Sequence, residues 1–360
     1  MQFRQWRSKS VNDTYEPGST YKILTLAMAL EEGTVNPNST FYCSGSIEVN
    51  KRRINCSRKT GHGSQKLEEA VGNSCNPAFI NIGLGVGAEK YWEYLDAFGI
   101  FDKTGVDLQG EVCGNFHDHD TFLSADIYLA TVSFGQTFTV TPIQLITAQA
   151  ACINGGYLYK PHVVDQVLAP DGSVVKTFDT TPVRQVVSEK TSATVREMLE
   201  YVVAGGTGKN GQVAGYRVGG KTGTADKTGT GDVVVSFLCF APADDPQVIM
   251  LLTMDTPSRN TGTYVSGGNM VAPTASAIMS DILPYLGIAP QYSGGDEAAA
   301  DSTVPDVAGR TREDAAVQLK EHGFTSFRTV GGGETVTDQT PVGGAIVPAS
   351  AEIILYMGEE

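Results

Sequence analysis

Pro17-Gly18-Ser19-Thr20-Tyr21-Lys22-Ile23-Leu24 holds the residues that decide the fold. Pro17-Gly18 breaks the preceding chain. Ile23, Leu24, Ala27, Met28 and Leu30 then recur at helical spacing, and Gly33 is placed to stop the helix. Ser19 thus falls at or near the first turn of a buried helix, where backbone N–H groups lack partners and the helix dipole favours negative charge. Lys22, three residues on, shares its face. A serine hydroxyl is a poor nucleophile without a neighbouring base. A lysine desolvated beside another cation can lose its proton and become that base. Alone, the S-x-x-K spacing also describes an N-cap serine next to a solvated lysine.

Two further motifs follow in order. Ser74-Cys75-Asn76 comes after Leu67-Glu68-Glu69-Ala70-Val71, a short helix ended by Gly72. Ser74 can relay a proton between Lys22, Lys221 and a leaving amine, and Asn76 can bridge Lys22 and a substrate amide. Standing alone, the segment reads as a polar loop. Lys221-Thr222-Gly223-Thr224 lies in a glycine-bearing strand edge suited to close approach of another backbone. A peptide can add to such an edge as a strand. Lys221 and the threonine hydroxyls suit a terminal carboxylate, and the N–H groups of Ser19 and Thr224 suit an oxyanion hole. The alternative is a basic turn in a sheet. Val233–Phe240 and Val248–Met254 read as the neighbouring strands. In this order, the three motifs describe a serine acyl-transfer centre that uses lysine where others use histidine.

The chain resembles the transpeptidase domain of class B penicillin-binding proteins. Beyond the motifs, the likeness rests on Asp13-Thr14-Tyr15-Glu16-Pro17-Gly18-Ser19, Gly61-His62-Gly63, Phe134-Gly135-Gln136, Thr141-Pro142-Ile143-Gln144, Asn154-Gly155-Gly156, Gly206-Thr207-Gly208 and Phe240-Ala241-Pro242-Ala243. The resemblance covers nearly all of residues 4 to 285. It implies an α/β fold of the serine β-lactamase-like type, an antiparallel sheet flanked by helices plus an all-helical subdomain. It also implies Ser19 as nucleophile, Lys22 as its base, Ser74 and Asn76 in proton transfer and substrate binding, and Lys221, Thr222, Gly223 and Thr224 at the substrate carboxylate. No cofactor is expected. The implied substrates are peptidoglycan stem peptides, with β-lactams as inhibitors.

Residues 303–360 form a second unit. Val304-Pro305-Asp306-Val307-Ala308-Gly309 leads into a helical run from Arg312 to His322, which Gly323-Phe324 ends. Gln339 to Gly344 reads as a turn and Glu352–Met357 as a closing strand. This resembles one PASTA domain, a small β-α-β module. Ten acidic residues against four basic ones in 301–360 make it a poor electrostatic match for an anionic polymer, so a spacer role and ligand binding both stay open. Residues 287–302, with Ser293-Gly294-Gly295-Asp296-Glu297 and Ala298-Ala299-Ala300, have linker composition. The expected division is therefore 1–286, 287–302 and 303–360.

A length of 360 residues accommodates two domains. A net charge of −14 argues against a nucleic-acid partner. No apolar run reaches membrane-spanning length and no signal peptide opens the chain. By resemblance, class B proteins begin with a membrane anchor and a non-catalytic pedestal. The chain is therefore expected to be a soluble truncation of a parent on the outer face of the cytoplasmic membrane. There the parent would work with cell-wall synthesis partners such as a glycosyltransferase, in division, elongation or sporulation.

Six cysteines, Cys43, Cys56, Cys75, Cys113, Cys152 and Cys239, include no C-x-x-C pair, so no metal site is expected. Cys152 and Cys239 lie in apolar surroundings and read as core thiols. His117-Asp118-His119-Asp120 has metal-like spacing but reads as a solvated loop. Cys43 and Cys56 flank a hairpin over Ile47–Ile54 and could pair. Cys56 and Cys75 are a possible redox pair, because an oxidised Cys75 would pull the Ser74–Asn76 loop away from Lys22. Free thiols remain a third reading. Glu111-Val112-Cys113-Gly114-Asn115 has the spacing of the deacylating glutamate loop of class A β-lactamases, but its surroundings, Asp107-Leu108-Gln109-Gly110-Glu111, resemble the transpeptidase pattern. A D,D-transpeptidase is accordingly expected. A D,D-carboxypeptidase or β-lactamase, and a non-catalytic β-lactam sensor or wall-binding scaffold, are the alternatives.

Overall fold

The computed structural model describes residues 7–227, 229–290, 301–348 and 351–358. The chain forms two compact units, one of residues 1–212 and 217–278, the other of 213–216 and 279–360. Most of the segment expected as a linker, 291–300, lies outside the described residues.

In the first unit the decisive helix is α1 (Lys22–Glu31). Its Leu, Ala and Met content favours helix, and every residue from Lys22 to Ala29 is buried. It ends as expected, with Gly33 in the left-handed region and the Gly33 N–H donating to Leu30 O. Ser19 sits near its first turn, as expected, but not within it. It lies in a preceding 3-10 turn, Gly18–Tyr21. The reason lies in contacts with distant segments. Gly18 has φ +56, and a Cβ there would stand 2.9 Å from Thr224 O. Its N–H also donates to Gly135 O at 2.9 Å. The turn is thus clamped between two other segments before the α-helix begins.

Four short strands follow: β1 (Thr40–Cys43), β2 (Ser46–Val49), β3 (Arg52–Asn55) and β4 (Gly63–Lys66). β2 and β3 form the expected hairpin, turning on Asn50 and Lys51, both at positive φ. β1 pairs with β4, so Cys43 faces Gly63 across the ladder. Helix α2 (Leu67–Gly72) carries the chain to Ser74-Cys75, and α3 (Asn76–Val86) starts with Pro77 in its first turn. Helices α1 and α3 pack together within a largely helical region that includes α4 (Pro142–Ile153). The Thr141 hydroxyl and the Gln144 side chain form a capping box at the start of α4.

Helix α5 (Glu189–Ala204) packs on an antiparallel sheet of β5 (Gly219–Asp226), β6 (Val233–Ala241) and β7 (Val248–Asp255), in the order β7-β6-β5. β6 is central and buried on both faces from Val234 to Ala241. β5 is therefore an edge strand, and it packs against the Ser19 turn. Both Gly219 and Gly220 leave room for aromatic rings of β6, and Gly223 lies against Ser236 and Thr20.

The second unit contains β8 (Asp301–Thr303), α6 (Arg312–Glu321), β9 (Phe327–Val330), β10 (Val336–Thr340), β11 (Ile346–Pro348) and β12 (Ile353–Met357). β12 pairs in parallel with β9 and antiparallel with β10, while β8 pairs with β11. The Thr311 hydroxyl caps α6. Leu319, Phe324, Val336, Ile353 and Leu355 belong to its apolar core. Gln339 and Thr340, expected in a turn, belong to β10. The turn is confined to the residues after them, and Gln339 is buried and bonded to backbone.

Candidate active site

Three separate segments deliver one buried polar cluster. α1 supplies Lys22 at its first residue. The loop between α2 and α3 supplies Ser74 and Asn76. β5 supplies Lys221. Lys22 Nζ donates to Ser74 O at 2.8 Å, to Ser74 Oγ at 3.2 Å and to Asn76 Oδ1 at 2.7 Å. Lys221 Nζ donates to Ser74 Oγ at 2.8 Å and to Thr222 O at 3.1 Å. One hydroxyl thus bridges two lysines, the relay arrangement anticipated from the motif chemistry. Ser74 holds this place with φ +53, a left-handed conformation rare for a residue with a Cβ. Such strain persists only where the surroundings over-determine it.

Both amines are fully buried. Burial lowers the Lys22 pKa to about 7, against an opposing pull from Cys75 and Cys56. Lys221 is pushed well below the ordinary lysine range, first by burial and then by the charge of Lys22. A neutral amine at neutral pH is what a general base requires.

Ser19 is half-buried at the edge of this cluster, beside β5. Among the described residues its hydroxyl makes no hydrogen bond, so Lys22 directs its own to Ser74 and Asn76. Thr224 is exposed on β5, whereas Lys221, Thr222 and Gly223 are buried. The Thr222 hydroxyl donates to Thr207 Oγ1 at 2.9 Å. Thr207 was legible only as part of Gly206-Thr207-Gly208 and carried no role. Gln149 is a residue the sequence reading missed. From α4 it donates to Thr20 O at 2.8 Å and so braces the Ser19 turn. A buried glutamine within an apolar helix is its only sequence signal.

Glu111 is committed elsewhere. Its carboxylate accepts from Thr104 N, Thr104 Oγ1 and Gly105 N at 2.7, 2.6 and 3.0 Å. Asp118 caps a short helix, His119–Leu123, and accepts from Thr121 N. The His117–Asp120 stretch therefore shapes a helix start and, among the described residues, gathers no metal ligand set. Cys152 and Cys239 are buried in apolar surroundings as expected. Burial pushes the Cys239 thiol up to about 12.

The cysteine spacing suggests no metal site, and the fold brings together side chains that no local spacing groups. Cys43, Cys56, His62 and Cys75 lie with their ligand atoms all within 4.8 Å of one another. The pairing of β1 with β4 and the β2–β3 hairpin bring these residues together, which no local spacing reveals. The cysteines are free thiols, and the two proposed as a redox pair, Cys56 and Cys75, share the cluster with two further groups. Cys56 is held below the ordinary thiol range, chiefly by a hydrogen bond from Cys75, whose own proton is held more tightly.

The family described as "Penicillin binding protein transpeptidase domain" matches residues 1–280, and "PASTA domain" matches 302–359. Stage V sporulation protein D of Bacillus subtilis is 41% identical over 368 residues, covering 98% of this chain and 55% of that protein. The chain spans about half the length of the curated relatives it matches. Among solved structures, the D,D-transpeptidase domain of a peptidoglycan glycosyltransferase from Eggerthella lenta superposes with TM-score 0.71 at 26% identity, covering 79% of this chain and 68% of that one. Penicillin-binding protein 3 of Mycobacterium tuberculosis, complexed with ampicillin, gives TM-score 0.71 at 28% identity, covering 80% and 66%.

Proposed function

We infer that this chain, which belongs to the penicillin-binding protein transpeptidase family, catalyses D,D-transpeptidation of peptidoglycan stem peptides through a Ser19 acyl-enzyme. The observation that carries the reading is the single Ser74 hydroxyl shared by Lys22 and Lys221, next to the Ser19 turn and the open edge of β5.

The steps follow from those positions. A stem peptide adds along β5, with its terminal carboxylate at Lys221, Thr222 and Thr224. Neutral Lys22 takes the Ser19 hydroxyl proton as Oγ attacks the penultimate D-Ala carbonyl. The resulting oxyanion is held by the N–H groups of Ser19 and Thr224. Collapse breaks the peptide bond, and the departing D-Ala amine receives a proton through Ser74 Oγ. An amine of a second stem then attacks the ester, gives its proton back through the same relay and frees Ser19. A β-lactam carbonyl enters by the first step and stays as a stable ester. The hydrogen bonds that occupy Glu111 favour an amine over an activated water as acceptor.

The proposed division is a transpeptidase domain over 1–286, a linker over 287–302, whose last two residues already enter β8, and a PASTA domain over 303–360. The parent is proposed to act at the outer face of the cytoplasmic membrane, with a glycosyltransferase as partner. Among the described residues, no helix is long and apolar enough to cross a membrane.

The test is to supply a stem pentapeptide with and without an acceptor amine, and to measure D-Ala release and cross-linked product. Release that rises with acceptor and yields the cross-link supports transpeptidation. Equal release into water in both cases would make the chain a carboxypeptidase, and acylation without release would make it a sensor.

A further inference from the structure

We propose that the basic face formed by the β2–β3 hairpin and the loop after it binds carboxylates of the peptidoglycan stem peptides being cross-linked. Residues 33–66 hold six cations, Lys51, Arg52, Arg53, Arg58, Lys59 and Lys66, against one acid, Glu48, in a chain of net charge −14. The five from Lys51 to Lys59 fall within nine residues and all are exposed. Among the described residues, none of these five forms an ion pair. Like charges so crowded repel one another, a cost that the hairpin fold does not require.

The fold gathers these charges in one place. Lys51 sits in the hairpin turn, and Arg52 and Arg53 begin β3. Arg53 Nε donates to Ser46 Oγ at 3.0 Å, which lays its side chain across to β2. Glu48 is the cross-strand neighbour of Arg53 in the ladder, yet the guanidinium goes to the serine hydroxyl and its charge stays unpaired. The loop that carries Arg58 and Lys59 returns to the same spot. A Cβ on Gly45, the residue before Ser46, would stand 2.1 Å from Lys59 O.

This face adjoins the chemistry. Asn55 lies two residues beyond Arg53, about 7 Å along the strand. Its carbonyl oxygen accepts from Asn76 Nδ2 at 3.2 Å. Asn76 Oδ1 in turn accepts from Lys22 Nζ at 2.7 Å. The strand that displays the arginines is therefore the strand that braces the catalytic amide. An anionic chain held on this rim has its next segment at the entrance to the cleft.

The ligand is named on the transpeptidase reading, and the inference rests on it to that extent. A stem peptide carries a D-glutamate carboxylate besides its terminal one, and a strand repeats that group from stem to stem. The terminal carboxylate belongs at Lys221, Thr222 and Thr224, so the others are left for the rim. Guanidinium forks match carboxylates through two parallel hydrogen bonds. A basic rim on an acidic protein also concentrates such a strand near the cleft, by about tenfold or more at low salt. Charge alone would equally attract a phosphate polymer or an anionic membrane. The link from Arg53 through Asn55 to Asn76 favours the substrate.

The experiment titrates the full chain, carrying Ser19→Ala to prevent turnover, with soluble un-cross-linked peptidoglycan strands freed of teichoic acid. Affinity should fall at least about tenfold between about 10 and 150 mM salt, where the screening length shrinks from about 30 to about 8 Å. Adding Arg52→Gln, Arg53→Gln and Arg58→Gln together should weaken binding at least about tenfold at low salt. A matched set on other exposed cations, Lys103→Gln, Lys190→Gln and Lys320→Gln, should leave it within about twofold. Converting the strand carboxylates to amides should cost much more affinity in the parent than in the arginine variant, whose cleft is intact. That difference separates the rim from the terminal-carboxylate site. If the arginine variant loses its circular dichroism, Arg53→Gln alone carries the comparison, with an expected loss of about threefold. Equal affinity in the arginine and lysine sets, or an equal cost of amidation with and without the arginines, would overturn the rim. So would tighter binding of a glycerol-phosphate polymer, or of phosphatidylglycerol vesicles, than of the strands. Binding is read without turnover, so its outcome is independent of the transpeptidation assay.

Discussion

The interiors of the two units treat polar groups in opposite ways. In the C-terminal unit the core is apolar, and a polar residue buried there among the described residues, Gln339, is satisfied by backbone. Gln339 accepts from Val307 N at 2.7 Å and donates to Pro305 O and Pro341 O at 3.1 Å each. It acts as a staple for chain that has no ladder there. In the catalytic unit, Lys22 and Lys221 are among the largest fully buried side chains. They share a hydroxyl and, among the described residues, pair with no carboxylate. Burying two amines without a counter-ion is costly, and packing does not require it. A buried polar group satisfied by backbone serves the fold. Two buried amines beside a half-buried serine serve a reaction.

The sharpest way to break that contrast is at the nucleophile. Ser19→Ala removes one oxygen from a half-buried position, so the protein should fold and melt as before. Covalent labelling by a fluorescent penicillin should fall below detection. Labelling that persists in this variant would move the nucleophile elsewhere and leave the lysine pair unexplained.

The lysines should next reveal themselves through pH. With the Lys22 pKa lowered to about 7, the base is protonated below that value. The acylation rate should fall about tenfold per pH unit under pH 7 and level off above it. Stability carries the matching sign. Between about 7 and the unfolded lysine value of about 10.4, the unfolded chain binds the proton that native Lys22 does not. Lys22 therefore makes stability rise with pH across that window. A rate profile flat from pH 5 to 9 would remove Lys22 as the base.

Lys221→Ala comes third. Losing a charge-assisted hydrogen bond costs about 1.5–3 kcal/mol, or roughly ten- to hundredfold in rate. Acylation should drop by that factor while the melting temperature changes little, because a desolvation penalty disappears along with the bond. A variant that melts early and acylates normally would make Lys221 a structural residue like Gln339.

What the sequence made legible divides along the same line. Lys22, Ser74, Asn76 and Lys221 stand in short motifs whose spacing is itself chemical, so their meeting could be anticipated. The strands β6 and β7 and helix α6 were readable from apolar runs and periodicity. The 3-10 turn at Ser19 was not, because it depends on contacts of Gly18 with Gly135 and Thr224, distant in sequence. Cys43 and His62 escaped for a related reason. Cys43 precedes Cys56 by 13 positions, and His62 stands 13 before Cys75. Only the β1–β4 register and the β2–β3 hairpin turn those separations into contact. Gln339 was misread as turn because its strand is defined by β12, which pairs with it from the far end of the unit.

The smallest effect on chemistry should come from the module whose interior is only packing. Leu319 is fully buried in the core of the C-terminal unit. Leu319→Ala should cost about 2–5 kcal/mol, comparable to all the stability that a core of so few residues supplies. Calorimetry should show the module's own transition shifted strongly downward or lost, while the catalytic unit's transition stays in place. Penicillin acylation should remain within about twofold, a difference of roughly 0.4 kcal/mol in the barrier. The reasoning is that the described lysine–hydroxyl cluster draws every partner from the catalytic unit. If acylation collapses along with the module, the second core does more than pack, and the contrast between a structural and a chemical interior fails.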